Sequence, residues 1–222
     1  MKVTNKIEIT NEDNMILMSR YPDNYFDLAI VDPPYGIGAE NHAGKSENGW
    51  KQWKTKNWDN STPDIKYFKE LIRVSKNQII WGGNYFANFL DNSQCWIFWD
   101  KGQRDFSLAD GELAWTSFKK SLRVFEMSRA SANRENRIHP TQKPIALYKW
   151  LLEKYAKPND KILDTHLGSG SIAIAFDEML KYWKMNELDI EGAELVACEL
   201  DEEYFNASVK RIKNHISQLT LF

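Results

Sequence analysis

The sequence predicts an open, doubly wound α/β domain with a mostly parallel sheet and one antiparallel hairpin strand. Three observations carry this expectation. Short apolar runs alternate with stretches of helical periodicity along the chain. Several of those runs end on an acid or a glycine turn, as strands do where a sheet opens onto a ligand crevice. And 222 residues suffice for one well-filled core, residues 1–222 forming a single domain.

In chain order, residues 26–31 (FDLAIV) are rich in β-formers and end at Asp32-Pro33-Pro34, where proline removes backbone donors, so they read as a buried strand. Residues 36–60 carry four glycines, four lysines and three tryptophans and read as a long flexible loop. Helical spacing at Ile65, Phe68, Leu71 and Ile72 predicts a helix over 64–75, followed by a strand over 78–81 stopped by Gly82-Gly83. A short helix over 84–90 and a strand over 95–99 come next. Residues 113–116 and 122–127 are expected to pair as a hairpin, and 128–138, basic and aperiodic, to be a loop. An amphipathic helix over 144–156 starts on a proline, a favoured first-turn residue. Then follow a strand over 161–164, a glycine turn, a helix over 171–180, a polar connection over 182–192, a strand over 195–198 and a helix over 202–216.

The formal charge of −2 hides an uneven distribution. From Lys119 to Lys143 there are seven Lys or Arg against two acids, and from Asp177 to Glu203 ten acids against two lysines. No apolar run is long enough to cross a membrane and the first ten residues are not a signal peptide. Cys95 and Cys198 are far apart and in no metal or redox spacing, so a buried, reduced, cytoplasmic role is expected, with no metal.

Two segments carry chemistry. Asp164-Thr165-His166-Leu167-Gly168-Ser169-Gly170 follows a strand and opens a helix, so its glycines permit a turn close against a ligand; Glu199, ending the next strand, is placed to grip a ribose diol. Asp32-Pro33-Pro34-Tyr35 is more specific. An aromatic amine is a poor nucleophile because its lone pair is delocalised into the ring. A carboxylate at Asp32 and the Pro33 carbonyl can each accept an amino hydrogen and localise that pair. Pro33 and Pro34 stiffen the turn, and Tyr35 offers a ring for a base taken out of the duplex.

These motifs resemble those of β-class DNA amino-methyltransferases: Asp32-Pro33-Pro34-Tyr35 first, then His139-Pro140-Thr141-Gln142-Lys143-Pro144, the glycine turn and Glu199, a circularly permuted order spanning nearly the whole chain. The resemblance implies a Rossmann-like methyltransferase sheet, S-adenosylmethionine as cofactor and DNA as substrate. It places Asp13 near the cofactor adenine, Asp164, Gly168 and Gly170 at its methionine end and Glu199 on its ribose. Asp32, His139, Lys143, Thr165, Ser169 and Leu200 complete the expected cofactor set. Where the family commonly has Asp-Pro-Phe this chain has Asp164-Thr165-His166, so His166 either takes over an aromatic contact or is a surface histidine.

For DNA, Lys51 and Lys54, interleaved with Trp50, Trp53 and Trp58, suit a loop that meets phosphates and bases. Residues 101–137 leave room for a small recognition region in which Arg123, Arg129, Arg134 and Arg137 are the candidates. That small allotment suggests a homodimer; a cognate restriction endonuclease is a further expected partner. Adenine N6 is the expected target. Cytosine N4 is the alternative, which serine in place of Asp32 would favour. Cytosine-C5 chemistry lacks its cysteine nucleophile, a nicotinamide dehydrogenase leaves Asp32 to Tyr35 unexplained, and a catalytically silent DNA-binding module leaves Asp32, Tyr35 and Glu199 without a purpose.

Overall fold

The computed structural model describes residues 1–38, 58–104, 109–132, 135 and 137–218. Among these described residues eight strands form one sheet: β1 (Ile7–Asn11), β2 (Leu28–Val31), β3 (Gln78–Trp81), β4 (Trp96–Asp100), β5 (Gly111–Thr116), β6 (Arg123–Glu126), β7 (Lys161–Asp164) and β8 (Glu194–Glu199). Their spatial order is β1-β8-β7-β2-β3-β5-β4-β6. All neighbouring pairs are parallel except those of β5, which runs against both β3 and β4. The helices are α1 (Asn14–Ser19), α2 (Ile65–Val74), α3 (Arg129–Ala132), α4 (Ile145–Tyr155), α5 (Ser171–Met185) and α6 (Glu202–Gln218).

The central strands are buried on both faces, and their alternation sorts residues into two cores, as expected of a parallel sheet with helices on both sides. Leu28, Ile30, Ile79 and Trp81 join Leu147, Leu151, Ile172 and Phe176 of α4 and α5 on one face. Ala29, Val31 and Ile80 join Leu17, Phe68 and Leu71 of α1 and α2 on the other. Helix α2 starts where the Asp64 carboxylate accepts the amides of Lys66 and Tyr67 at 2.8 and 3.2 Å.

The doubly wound expectation stands, with specific corrections. Strand β5 does not pair with β6; it lies antiparallel between β3 and β4, and β6 lies parallel to β4 at the sheet edge. The short helix expected over 84–90 contracts to a 3₁₀ turn, Gly83–Tyr85. Helix α5 continues through Tyr182 to Met185, shortening the polar connection, and α3 lies within the segment expected to be a loop. Strand β1 and helix α1 were not anticipated. Their signals were present: Ile7 and Ile9 alternate with polar residues, and Asp13 caps the helix by accepting from the amides of Met15 (2.8 Å) and Ile16 (3.3 Å).

Candidate active site

The sheet winds from β2 to β3 on one side and from β7 to β8 on the other, while β2 and β7 are neighbours. Their carboxyl ends therefore flank a topological switch point, where open α/β sheets bind ligands. Asp32 follows β2, Asp164 ends β7 and Glu199 ends β8. Beyond these ends lies a cavity of about 860 Å³ bordered by Asp13, Asp32, Pro34, His139, Lys143, Thr165, His166, Gly168, Ser169, Glu199 and Leu200. Four residues expected there are not on its lining. Pro33 is buried, Tyr35 packs against Tyr85, Asp164 is 1 % exposed at the strand end, and Gly170 faces α6.

The glycine turn divides its labour. Gly168 has φ +53°, and a Cβ there would meet nothing closer than 3.9 Å, so the missing side chain leaves room on the cavity side. Its N–H donates to Glu199 Oε2 at 2.8 Å, and Glu199 Oε1 accepts from the Asp201 amide at 3.0 Å. The Leu200 amide also bonds this carboxylate, so backbone donors hold an acceptor-only group at the cavity edge, the chemistry a vicinal diol requires. Gly170, at φ +74°, serves helix packing instead: a Cβ would lie 2.7 Å from Ile212 Cδ1. Arg211 of α6 locks the turn, donating to the Ser169 carbonyl and Ser171 Oγ at 2.9 Å each while pairing with Glu135 at 2.9 Å.

Asp32 is held from two sides. Tyr35 donates its hydroxyl to Oδ1 at 2.7 Å, and Lys143 Nζ lies 2.5 Å from Oδ2. Lys143 also pairs with Glu112 Oε2 at 3.1 Å and donates to the Tyr35 oxygen at 3.2 Å; Glu112 in turn pairs with Lys101. Burial pushes the Asp32 carboxyl above the usual carboxylate range; Lys143 opposes this but is shared, and the nearby Glu112 charge adds to the rise. Burial likewise opposes ionisation of Glu112, yet the two lysines outweigh it and hold its pKa at about 2. Burial would lower Lys143, but its two carboxylates raise it, so the ammonium stays charged. The Tyr35 ring stacks on Tyr85 at 5.0 Å and passes so close to Gly82 that a Cβ there would fall 2.2 Å from its Cε1.

His166 is neither a surface histidine nor a charged one. Burial depresses its pKa to about 3. Asn14 donates to Nε2 at 3.1 Å, so the ring proton sits on Nδ1 and goes to Thr165 Oγ1 at 2.9 Å, which also bonds the Tyr67 hydroxyl at 2.7 Å. Tyr67 meets the imidazole edge-on at 5.4 Å. His139 lies between Tyr204 (4.3 Å) and Trp58 (5.3 Å). Asp59 accepts the amides of Gly36 at 2.8 Å through its side chain and Gly38 at 3.0 Å through its carbonyl. Burial pushes Asp164 up to about 8.

Sequence reasoning missed Glu112, Tyr67, Tyr148 and Tyr204 at the site. Tyr67, Tyr148 and Tyr204 have the spacing of ordinary core residues on helices, and nothing local marks Glu112. Among the DNA candidates, Arg123 is exposed on edge strand β6 and Arg129 opens α3. Arg137 turns inward and donates to the Pro140 carbonyl. Lys51, Lys54 and Arg134 lie outside the described residues, as do Trp50 and Trp53. Cys95 and Cys198 are buried and free. Among the described residues there is no metal-binding cluster, and no helix is long and apolar enough to cross a membrane.

Residues 76–210 match a family model described as DNA methylase, the N6/N4 group, and the match takes in Glu112, Lys143, the glycine turn and Glu199. The chain belongs to the DNA methylase family. As a DNA methylase it shares 22 % identity over 266 residues with the type II methyltransferase M.BglII of Bacillus subtilis, covering 94 % of this chain and 74 % of that one. Its fold matches the M1.HpyAVI–SAM complex (TM-score 0.57, 18 % identity, 93 % and 98 % of the two chains). It also matches the cytosine-N4-specific PvuII DNA methyltransferase (TM-score 0.59, 13 % identity, 97 % and 94 %). These likenesses agree with the doubly wound methyltransferase sheet.

Proposed function

We propose that this DNA methylase transfers a methyl group from S-adenosylmethionine to adenine N6 at a specific DNA sequence. The observation that carries the reading is Asp32, a carboxylate at the switch-point crevice that borders the same cavity as Gly168 and Glu199. The residues fit the cofactor. Glu199 presents an acceptor-only carboxylate for a ribose diol, Gly168 leaves room beside it, and seven carboxylates against one lysine among the lining residues favour a cationic sulfonium. When bound, the cofactor supplies an electrophilic methyl carbon.

Asp32 accepts an amino hydrogen of the everted base and, with the Pro33 carbonyl, draws the nitrogen toward tetrahedral geometry. Its carboxylate would then take up the proton that the amine sheds once the methyl has passed from the sulfonium sulfur, left as a neutral thioether, to nitrogen. Prearranged acceptors of this kind lower a barrier by roughly 3–4 kcal/mol. Arg123 and Arg129 are proposed to meet DNA, together with the loop lysines 51 and 54. A homodimer is proposed because the recognition region is small; sedimentation showing an active monomer on DNA would refute it. The type II name of M.BglII supports a paired restriction endonuclease.

Cytosine N4 is the second reading, favoured by the likeness to the PvuII enzyme. Methylation of a plasmid followed by nucleoside mass spectrometry separates the two. N6-methyladenine is expected; N4-methylcytosine would transfer the conclusion to the second reading, and no methylated nucleoside would overturn both. Asp32→Ala is expected to abolish tritiated-methyl transfer while calorimetry shows cofactor binding intact.

A further inference from the structure

We propose that Lys143 and Glu112 are positioning residues for methyl transfer: Lys143 fixes the Asp32 carboxylate toward the target amine, and Glu112 anchors Lys143. The proposal rests on the reading of Asp32 as the acceptor of that amine.

Lys143 is only 4 % exposed, and an ammonium with three hydrogens at such a place needs three acceptors. It has them: Asp32 Oδ2 at 2.5 Å, Glu112 Oε2 at 3.1 Å and the Tyr35 oxygen at 3.2 Å. With all three hydrogens directed to protein atoms, Lys143 is assigned to the carboxylate rather than to the cofactor. The same charge lies 5.2 Å from the Trp81 ring centre and 5.7 Å from that of Tyr35, which confines it further. Asp32 thus has one fixed donor on each oxygen, Lys143 on Oδ2 and Tyr35 on Oδ1, so rotation of the carboxylate breaks both bonds. Its remaining lone pairs point where those donors are not.

Glu112 explains why so buried a lysine stays in place. It sits on β5, the one strand that runs against its neighbours, and its other oxygen takes Lys101 from the loop after β4. The pairing Trp81↔Ala114 between β3 and β5 sets how far Glu112 reaches toward the β2 end. Two residues of the 101–137 region therefore form the far half of a four-member chain, Asp32–Lys143–Glu112–Lys101. Breaking one link in a buried ionic chain leaves a neighbour uncompensated.

The test compares full-length Lys143→Met, Lys143→Arg and Glu112→Gln with the parent and with Asp32→Ala. The readouts are kcat, KM for DNA, the pH profile of kcat, and cofactor affinity by calorimetry. Lys143→Met is expected to lower kcat by roughly 10²–10³-fold, the loss typical of one prearranged polar group, with cofactor affinity within about threefold of the parent. Its acid limb moves to higher pH, because the charge that favours ionised Asp32 is gone. Lys143→Arg restores part of kcat and returns the limb toward its original position. Glu112→Gln lowers kcat about tenfold by loosening Lys143, yet its acid limb moves the opposite way, to lower pH, because a carboxylate that opposes Asp32 ionisation has been neutralised.

A purely structural role predicts no opposed displacement of the two limbs. The proposal is overturned by Lys143→Met with parental kcat and pH profile, or by a loss of turnover matched by an equal loss of cofactor affinity. If Lys143→Met does not fold, Glu112→Gln decides, and an acid limb that stays at the parental pH overturns the proposal. An active Asp32→Ala variant would defeat the function reading itself; an inactive Asp32→Ala beside unaffected Lys143 and Glu112 variants would defeat only this inference.

Discussion

Replacing Gly82 by alanine tests whether the backbone after β3 is shaped to seat Tyr35 against Asp32. Gly82 has φ +71°, a left-handed conformation that costs an L-residue about 1–2 kcal/mol. The new methyl would lie 2.2, 2.5 and 2.8 Å from Cε1, Cδ1 and Cζ of Tyr35, and the nearest atom must retreat to the 3.4 Å of ordinary contact, a movement of about 1.2 Å. The ring cannot slide freely, since Tyr85 is stacked on it at 5.0 Å and Phe86 meets its edge at 6.1 Å. A shift of that size takes the hydroxyl from 2.7 Å to beyond hydrogen-bonding reach of Asp32, and a bond to a charged group contributes about 1.5–3 kcal/mol. The two contributions predict a loss of about 2.5–5 kcal/mol, or roughly 5–20 °C in Tm for a chain of this size. Denaturant and thermal unfolding measure the stability, and tritiated-methyl transfer measures the turnover that falls with it. A Gly82→Ala protein within about 0.5 kcal/mol of the parent, the range of neutral surface changes, and with parental turnover, would refute the account.

Gly170→Ala carries the same backbone penalty, at φ +74°, and presses on Ile212 at 2.7 Å. A flexible side-chain end can yield, so a smaller loss of about 1–3 kcal/mol is expected by denaturant unfolding, and an unchanged midpoint would count against the packing role. Asp164, raised by burial to about 8, makes the folded state bind a proton more tightly than the unfolded chain does. Its favourable contribution is full below the ordinary aspartate pKa and is lost as pH rises toward 8. Asp164→Asn should therefore gain stability relative to the parent across that window and level off above it; a pH-independent difference would contradict this. If Arg123 and Arg129 each meet a phosphate, alanine at either weakens binding to all sequences and lowers the salt slope by about one. Filter binding across a salt series checks it, an unchanged slope removing that arginine from the interface.

Much of the site was legible because its residues stand at the ends of elements that local pattern reveals. The apolar run before Asp32, the strand before Asp164 and the strand before Glu199 lie where expected, and the crevice between them is a consequence of strand order. The motif order adds their common purpose. Strand β1 and helix α1 were also legible, through the Ile7/Ile9 alternation and the Asp13 cap, but such short elements are easily passed over.

Periodicity and punctuation, properties of a dozen consecutive residues, thus determined the strands, most helices and the acids that end them. Tertiary packing alone decided which strand β5 would pair with, because strand choice depends on burial by distant residues rather than on local preference. It also decided that Glu112 would meet Lys143, that Gly82 would yield space to Tyr35, and that Gly170 would admit Ile212 rather than a ligand. Each of these is a contact between segments far apart in the chain, set by close packing and ion pairing in three dimensions, for which one-dimensional spacing holds no signal.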